Sequence, residues 1–424
     1  MKVLVFNVKY SDNLGDGLLA LCLEKALAGS RADVKVETLD IAGRTEFGST
    51  NSRRAGVLRV LQMLPAAARR IVISVLLQRS LRRLRQRFDR SLRSADLVVI
   101  GGGNLFQDDD LNFPLKVGLV LDCVARSSKP LAIHAVGVSA HWSKTALKLF
   151  GRMRGANVIS VSVRDQVSLA NWQSHFPAGP LATIAPDPGL LARELSLPEV
   201  YPASHANTKT VAVCVTAPFI LRRHASISAS AIPLADASQY ACLIQGAVDL
   251  GFKVKLFCNG AREDQFFLAQ IARLPELSNL IREGRLTTAP RPKRPEELVL
   301  ILKGASVILA HRLHACIAAY SLGIPHVGLS WDSKLPGFFD YTGRGKYCLS
   351  GSEITQARIL SALVEAHIEG IEPQTSSPIL EAARLKASNL VDLASAMHAL
   401  DPPAAKADSK KTRIKLYVEA DEAD

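Results

Sequence analysis

Two histidines and an arginine stand together in the run His311-Arg312-Leu313-His314. The short apolar run before them, 306–310, predicts a buried parallel strand. After them Leu313 and Ile317 predict a helix stripe, ended by Gly323 ahead of Pro325. The cluster therefore sits where a strand gives way to a helix. In open α/β sheets that turn holds ligands, because free backbone N–H groups and the positive end of the helix dipole point there. Cations are otherwise unfavourable at such an end, so the cluster suits an anionic ligand. A lone histidine in such a turn is more often structural, and His311 and His314 could also share a metal. No acidic or cysteine partner lies close in sequence to complete a metal set. Asp332 and Lys334, after the next strand, extend the polar cluster. The expectation is an anion site without a metal.

The first half of the chain repeats the arrangement. A strand at 2–7 leads into Asn13-Leu14-Gly15-Asp16, where Gly15 lets backbone approach a ligand and Asn13 or Asp16 can cap the next helix. Capping alone would account for it, and it is not the GxGxxG of a dinucleotide site. A strand at 96–100 ends in Gly101-Gly102-Gly103-Asn104, three glycines whose amides can line an anion or sugar hydroxyls. A strand at 158–163 ends in Arg164-Asp165, and Asp187 is held between two prolines that fix the backbone. A local ion pair or a helix cap would explain these last two as well.

Alternating strands and helices must position these turns, which makes the chain α/β. Its 424 residues suffice for two domains with ample core. The pattern lapses over 192–209, predicting a linker between units at 1–195 and 205–375. A helix at 376–400 and a flexible tail at 401–424 follow, and the polar loop 219–235 predicts a flap.

With 48% hydrophobic and 21% charged residues the composition is that of an ordinary globular protein. Met1 runs directly into a strand, and no apolar run is long enough to span a bilayer. Seven scattered cysteines without a CxxC pair fit a reducing cytoplasm. The net charge of +13 is concentrated: Arg53 to Arg93 holds twelve arginines and one acid, Asp89, a local +11. Leu58, Leu61, Leu76, Leu77, Leu81, Leu84 and Phe88 give this segment apolar faces at helical spacing. It reads as a solvated helix face, or as a surface for an anionic membrane or an acidic glycan. No nucleic-acid partner is expected, since no helix-turn-helix, zinc-finger or RNP-type signature accompanies the charge.

In order, NLGDGLL, VVIGGGNLFQD, SVRD, PDPGLL, HRLHACIAAYSLGIP and SWDSKLPGF closely resemble the polysaccharide pyruvyl transferase family. The resemblance spans about residues 1–347, apart from 53–93. It departs in two places: His311 stands where the family often has serine, and Trp331 where it tends to tyrosine. The resemblance implies two Rossmann-like domains facing across a cleft, the GT-B-type architecture, with the first on the acceptor side and the second on the donor side. It implies transfer of pyruvate from phosphoenolpyruvate to a sugar of a cell-surface polysaccharide or its lipid-linked precursor, usually as a cyclic ketal, with no further cofactor.

Phosphoenolpyruvate carries a carboxylate and a phosphate, so it needs cationic clamps. Arg312, by resemblance Arg164, and then Lys334 are the candidates. His314, at a near-neutral pKa, is the expected general acid for the methylene carbon. Asp187 or Asp16 would orient or deprotonate the acceptor, with Asn13, Gly15, Gly102, Gly103, Asn104 and His311 lining the site. The localisation expected is cytoplasmic, with peripheral contact at the inner membrane face. The alternative of the same architecture is a glycosyltransferase using a nucleotide-sugar donor, for which 305–335 offers no ExxxxxE-like pair. A non-catalytic glycan-binding module is the third class.

Overall fold

The computed structural model describes residues 1–48, 65–197, 209–224, 232–332, 334–351 and 354–400. The predicted tail, the start of the basic segment at 53–64, most of the predicted linker and residues 225–231 of the predicted flap lie outside the described residues.

The strands are β1 (Lys2–Asn7), β2 (Lys35–Asp40), β3 (Leu97–Gly101), β4 (Pro130–Val136), β5 (Asn157–Val163), β6 (Thr183–Ile184), β7 (Thr210–Cys214), β8 (Lys253–Phe257), β9 (Leu286–Thr288), β10 (Val307–Ala310), β11 (His326–Leu329) and β12 (Cys348–Leu349). They form two six-stranded parallel sheets, in the orders β2-β1-β3-β4-β5-β6 and β12-β11-β10-β7-β8-β9. The central strands β3, β4, β7 and β10 are buried along their whole length. That explains their continuous apolar sequences: a parallel strand covered by helices on both faces has no polar side.

Both orders reverse direction once, between β1 and β3 in the first sheet and between β7 and β10 in the second. Such switch points leave a crevice beyond the carboxyl ends of the strands, because the flanking helices diverge to opposite faces. Asn13–Asp16, Gly102–Asn104 and His311–His314 all follow the strands that flank these two crevices.

The C-terminal helix begins at Pro373 and runs to Leu400, somewhat earlier than its sequence pattern suggests. Leu390, Val391 and Ala394 pack into the same apolar core as Val3 and Leu27 of the first half. Arg384 pairs with Glu194, and Arg31 donates to Ser395. The last helix therefore returns across to the first sheet. The basic segment is a helix over Ala66–Leu92 whose Leu84, Phe88 and Leu92 are buried against the outer face of that sheet.

Candidate functional site

The two halves meet tightly at the turns identified above. Leu14 N–H donates to the Asn259 carbonyl at 2.9 Å. The Asn259 amide donates to Asn13 Oδ1 at 3.1 Å. Asn13 thus caps the helix Leu14–Ala28 and ties it to the loop after β8. Gly15 has a direct reason to be glycine: a Cβ there would lie 2.3 Å from His314 Nδ1 and 2.4 Å from its Cβ. The imidazole rests on the Gly15 backbone, and Asp16 Oδ1 is 3.7 Å from its Nδ1. Burial raises the Asp16 pKa, while a hydrogen bond from Ser11 and the charges of Arg44, Lys334 and Arg312 oppose the rise.

His314 itself differs from expectation in one respect. Its side chain is 11% exposed. Burial first, then the charges of Arg164, Lys334 and Arg312, drive its pKa down to about 3 rather than leaving it near neutral. In the free protein it is a neutral imidazole at neutral pH, and a negative charge placed beside it would raise its pKa.

Arg312 caps the helix Leu313–Ser321 by backbone position, with no side-chain cap. Its guanidinium is braced: Nη2 donates to Asp264 Oδ2 at 2.5 Å, and the other Asp264 oxygen accepts from Ala217 N–H at 2.8 Å. Arg312 Nε is buried with no hydrogen-bond partner among the described residues. Sequence reading missed Asp264. Lying in the first turn of the helix Arg262–Ile271, it looks like an ordinary partner of the helix dipole. Only the adjacency of β7 to both β8 and β10 carries it to Arg312.

Across the seam, Arg164 Nε donates to Asp165 Oδ2 at 3.3 Å, and Nη1 lies 3.9 Å from Asp187 Oδ2. Asn104 Oδ1 and Arg164 Nη2 crowd the same glycine: a Cβ at Gly137 would be 2.4 Å from the first and 2.9 Å from the second. The carboxyl ends of β3, β4 and β5 are thereby stitched into one floor. Gly102 and Gly103 both have positive φ, +74° and +79°, which turns the chain over Leu19 at little steric cost. Asn104 Nδ2 donates to Gln107.

Asp187 caps the short turn Pro188–Glu194, with Oδ1 accepting from Gly189 N–H at 2.9 Å. Its Oδ2 is buried and has no hydrogen-bond partner among the described residues. Burial lifts its pKa to about 6, against the pull of Arg164. The small cavity at the seam is walled by Arg164, Asp165 and Asp187 on one side and by Lys334, Phe338 and Tyr341 on the other. Lys334 Nζ is 3.4 Å from Asp332 Oδ2, and its side chain keeps 35% exposure.

His311 is placed differently from its neighbours. Its Nε2 is 2.9 Å from the Pro233 carbonyl, and its own carbonyl accepts from Trp331 Nε1 at 2.8 Å. Burial lowers its pKa to about 4. The ring is engaged in holding the loop at Pro233, not turned to the cavity. The two positions that depart from the resembled pattern, His311 and Trp331, thus touch each other, and Trp331 packs with Leu221 and Ile232.

Two parallel six-stranded sheets with apposed switch points, bridged by a returning C-terminal helix, define a GT-B-type α/β protein. Solved structures share the architecture at low identity. The S. aureus MnaA–UDP co-structure superposes with a TM-score of 0.53 at 11% identity, covering 94% of this chain and 97% of that one. UDP-GlcNAc 2-epimerase from Neisseria meningitidis bound to UDP-GlcNAc gives 0.52 at 13%, covering 94% and 100%. Methanocaldococcus jannaschii UDP-GlcNAc 2-epimerase in complex with UDP-GlcNAc and UDP gives 0.53 at 9%, covering 93% and 99%. These likenesses establish the fold. No curated protein matches the chain in sequence. The sequence signature of polysaccharide pyruvyl transferase matches residues 13–333, and the chain belongs to that family. That span takes in every candidate site residue named from the sequence except Lys334, which lies one position beyond it.

Proposed function

We propose that the protein transfers pyruvate from phosphoenolpyruvate to two hydroxyls of a sugar, forming a cyclic ketal and releasing phosphate. The observation that carries this reading is the gathering of the positive charges of Arg164, Lys334 and Arg312 around the neutral His314, beside a cavity that Arg164, Asp187 and Lys334 line. Guanidinium and ammonium groups suit a ligand with a carboxylate at one end and a phosphate at the other. The anion that binds there supplies the charge that lifts the His314 pKa, so proton loading is coupled to donor binding.

His314 then protonates the methylene carbon, which becomes the methyl group, and the adjacent carbon takes up positive character. One sugar hydroxyl forms a C–O bond to that carbon. The bond to the phosphate oxygen breaks and a second hydroxyl closes the ring. One hydroxyl proton replaces the one His314 gave, and the other leaves with phosphate. Asp187, with a pKa of about 6, is suited to hold and relieve the attacking hydroxyl. The cavity has about 20 Å³, room for roughly one water.

The acceptor is a glycan, free or carried on a lipid, and the reaction belongs in the cytoplasm with contact at the inner membrane face. No helix among the described residues is long and apolar enough to cross a membrane. All seven cysteines are unpaired, which accords with a reducing compartment.

Thermal unfolding with phosphoenolpyruvate beside a panel of nucleotide sugars tests the donor. At about 100 times its dissociation constant, the true donor stabilises the protein by about 2.7 kcal/mol. Protection by phosphoenolpyruvate alone supports the reading. Protection by a UDP- or GDP-sugar alone replaces it with glycosyl transfer.

A further inference from the structure

The helix Ala66–Leu92 carries more cation than the fold uses. Its inner face is accounted for: Leu84, Phe88 and Leu92 are buried, and Leu81 packs beside them. Arginines on its flanks are also accounted for. Arg69 pairs with Asp110 at 2.6 Å, and Arg85 reaches Asp122 at 3.5 Å. Asp89, the helix's one acid, is held by Arg126. Ile71, Val75, Arg79, Arg82, Arg83 and Arg90, with the uncharged Gln86 among them, recur at helical spacing on the side roughly opposite Phe88. Ile71 and Val75 are 65% and 60% exposed. The four arginines are exposed and have no ion pair among the described residues.

The stripe is divided along its length. Its N-terminal part is apolar and its later part cationic. The helix runs antiparallel to the strands, from the carboxyl end of β2 to the amino end of β3. The Arg69–Asp110 pair fixes its start beside the loop that follows β3. Ile71 and Val75 therefore lie at the cleft-side edge of the first sheet, and the arginines extend away from it.

We propose that this stripe is a docking face for an anionic lipid bilayer, with Ile71 and Val75 entering the headgroup boundary while Arg79, Arg82, Arg83 and Arg90 lie along the phosphates. Charge complementarity selects the occupant. Unpaired arginines in a row attract a continuous anionic surface, and each contributes a separate increment near it. A branched aliphatic pair held in water beside them gains by partial burial at the interface. Nothing here requires a spanning segment. The orientation places the mouth of the seam next to the surface, where a sugar carried on a lipid would be presented. The docking face does not depend on the identity of the donor.

Vesicle co-sedimentation of the full chain tests it, using phosphatidylcholine alone and phosphatidylcholine mixed with phosphatidylglycerol. The protein is expected to pellet with the anionic vesicles at low salt, to be released as the ionic strength approaches about 0.5 M, and to ignore the neutral ones. The quadruple variant R79Q/R82Q/R83Q/R90Q should lose about 100-fold or more in partitioning. Ile71→Ser with Val75→Ser should lose several-fold and shift the remaining binding to steeper salt dependence. Neither variant should alter thermal protection by the donor, which separates failure of docking from failure of the donor reading. Wild-type protein that stays in solution with anionic vesicles at low salt overturns the proposal, as does equal binding by the quadruple variant. Insertion at Ile71 and Val75 is overturned if the double variant partitions like wild type. Binding to a soluble polyanion such as RNA, without binding to vesicles, assigns the face to another partner and also overturns it.

Discussion

Replacing Asp187 by asparagine should stabilise the protein at the expense of its chemistry. Asp187 is buried, its Oδ2 has no hydrogen-bond partner among the described residues, and burial outweighs the nearby Arg164 to raise its pKa to about 6. The ordinary value is 3.8. A folded-state pKa above the unfolded one means that the native protein holds this proton more tightly. Stability from this group is then present below pH 4 and is lost as pH rises towards 6. The loss is about 2 units at about 1.4 kcal/mol each, so up to about 3 kcal/mol above pH 6. The Asp187→Asn side chain would keep the cap on Gly189, since an amide oxygen accepts that N–H as a carboxylate does. It would remove only the penalised charge. Arg164 keeps Asp165 as a neighbour, although losing the more distant carboxylate trims the gain. Urea denaturation across pH should show Asp187→Asn more stable than wild type at pH 8, with the difference falling to about a third at pH 4.5 and vanishing below the unfolded pKa of 3.8. Activity should fall by about 100-fold or more if the carboxylate relieves the attacking hydroxyl. A variant less stable than wild type at pH 8 would refute the reasoning, because Arg164–Asp187 would then be a net stabilising pair.

His314→Ala should reduce turnover by about 100-fold or more while leaving phosphoenolpyruvate affinity within a few-fold, because a general acid acts on the transition state; single-turnover kinetics and calorimetry separate the two. Gly15→Ala should cost nearly as much activity without unfolding the first sheet, since its Cβ would collide with His314 atoms at 2.3 to 2.6 Å and displace the imidazole; circular dichroism checks the fold and donor titration the site. Asp264→Asn should weaken donor binding more than it slows turnover, because it loosens the brace on Arg312, and a raised KM with nearly unchanged kcat is the signature. Acid should unfold the protein early. His134 and His311 are pushed by burial to about 4, and His326 to about 3, so each binds protons more weakly in the folded state than unfolded. Stability from these groups is complete above pH 6.5 and drains as pH falls, by about 2 kcal/mol per histidine at pH 5. Calorimetric melting at pH 7.5, 6 and 5 measures this.

The parallel strands could be read from the sequence because each central strand is covered on both faces and so is apolar throughout. The positions of the turns could be read because they follow such strands, at the carboxyl ends beside the switch points. What the sequence hid is pairwise and long-range. Gly15 looks like a helix-start glycine until His314, almost three hundred positions away, is found resting on it. Asp264 looks like a dipole partner until the strand order sets it under Arg312. His311 and His314 are three apart on similar local sequence, yet one ring holds the Pro233 carbonyl and the other faces the seam.

Protonation was hidden for the same reason. Composition suggests histidines of ordinary pKa, but three cations, Arg164, Lys334 and Arg312, surround the buried His314 in the fold and help to empty it of its proton. A site that gathers positive charge and discharges its own acid is incomplete until an anion enters. In the proposed reaction, donor binding and protonation of His314 become a single event. The pKa of His314, followed by NMR through its ring carbon protons, should rise from about 3 towards neutrality on addition of phosphoenolpyruvate and should not move with a neutral sugar. A ring that stays unprotonated in the complex would transfer the acid role to another group and leave His314 as a hydrogen-bond acceptor resting on Gly15.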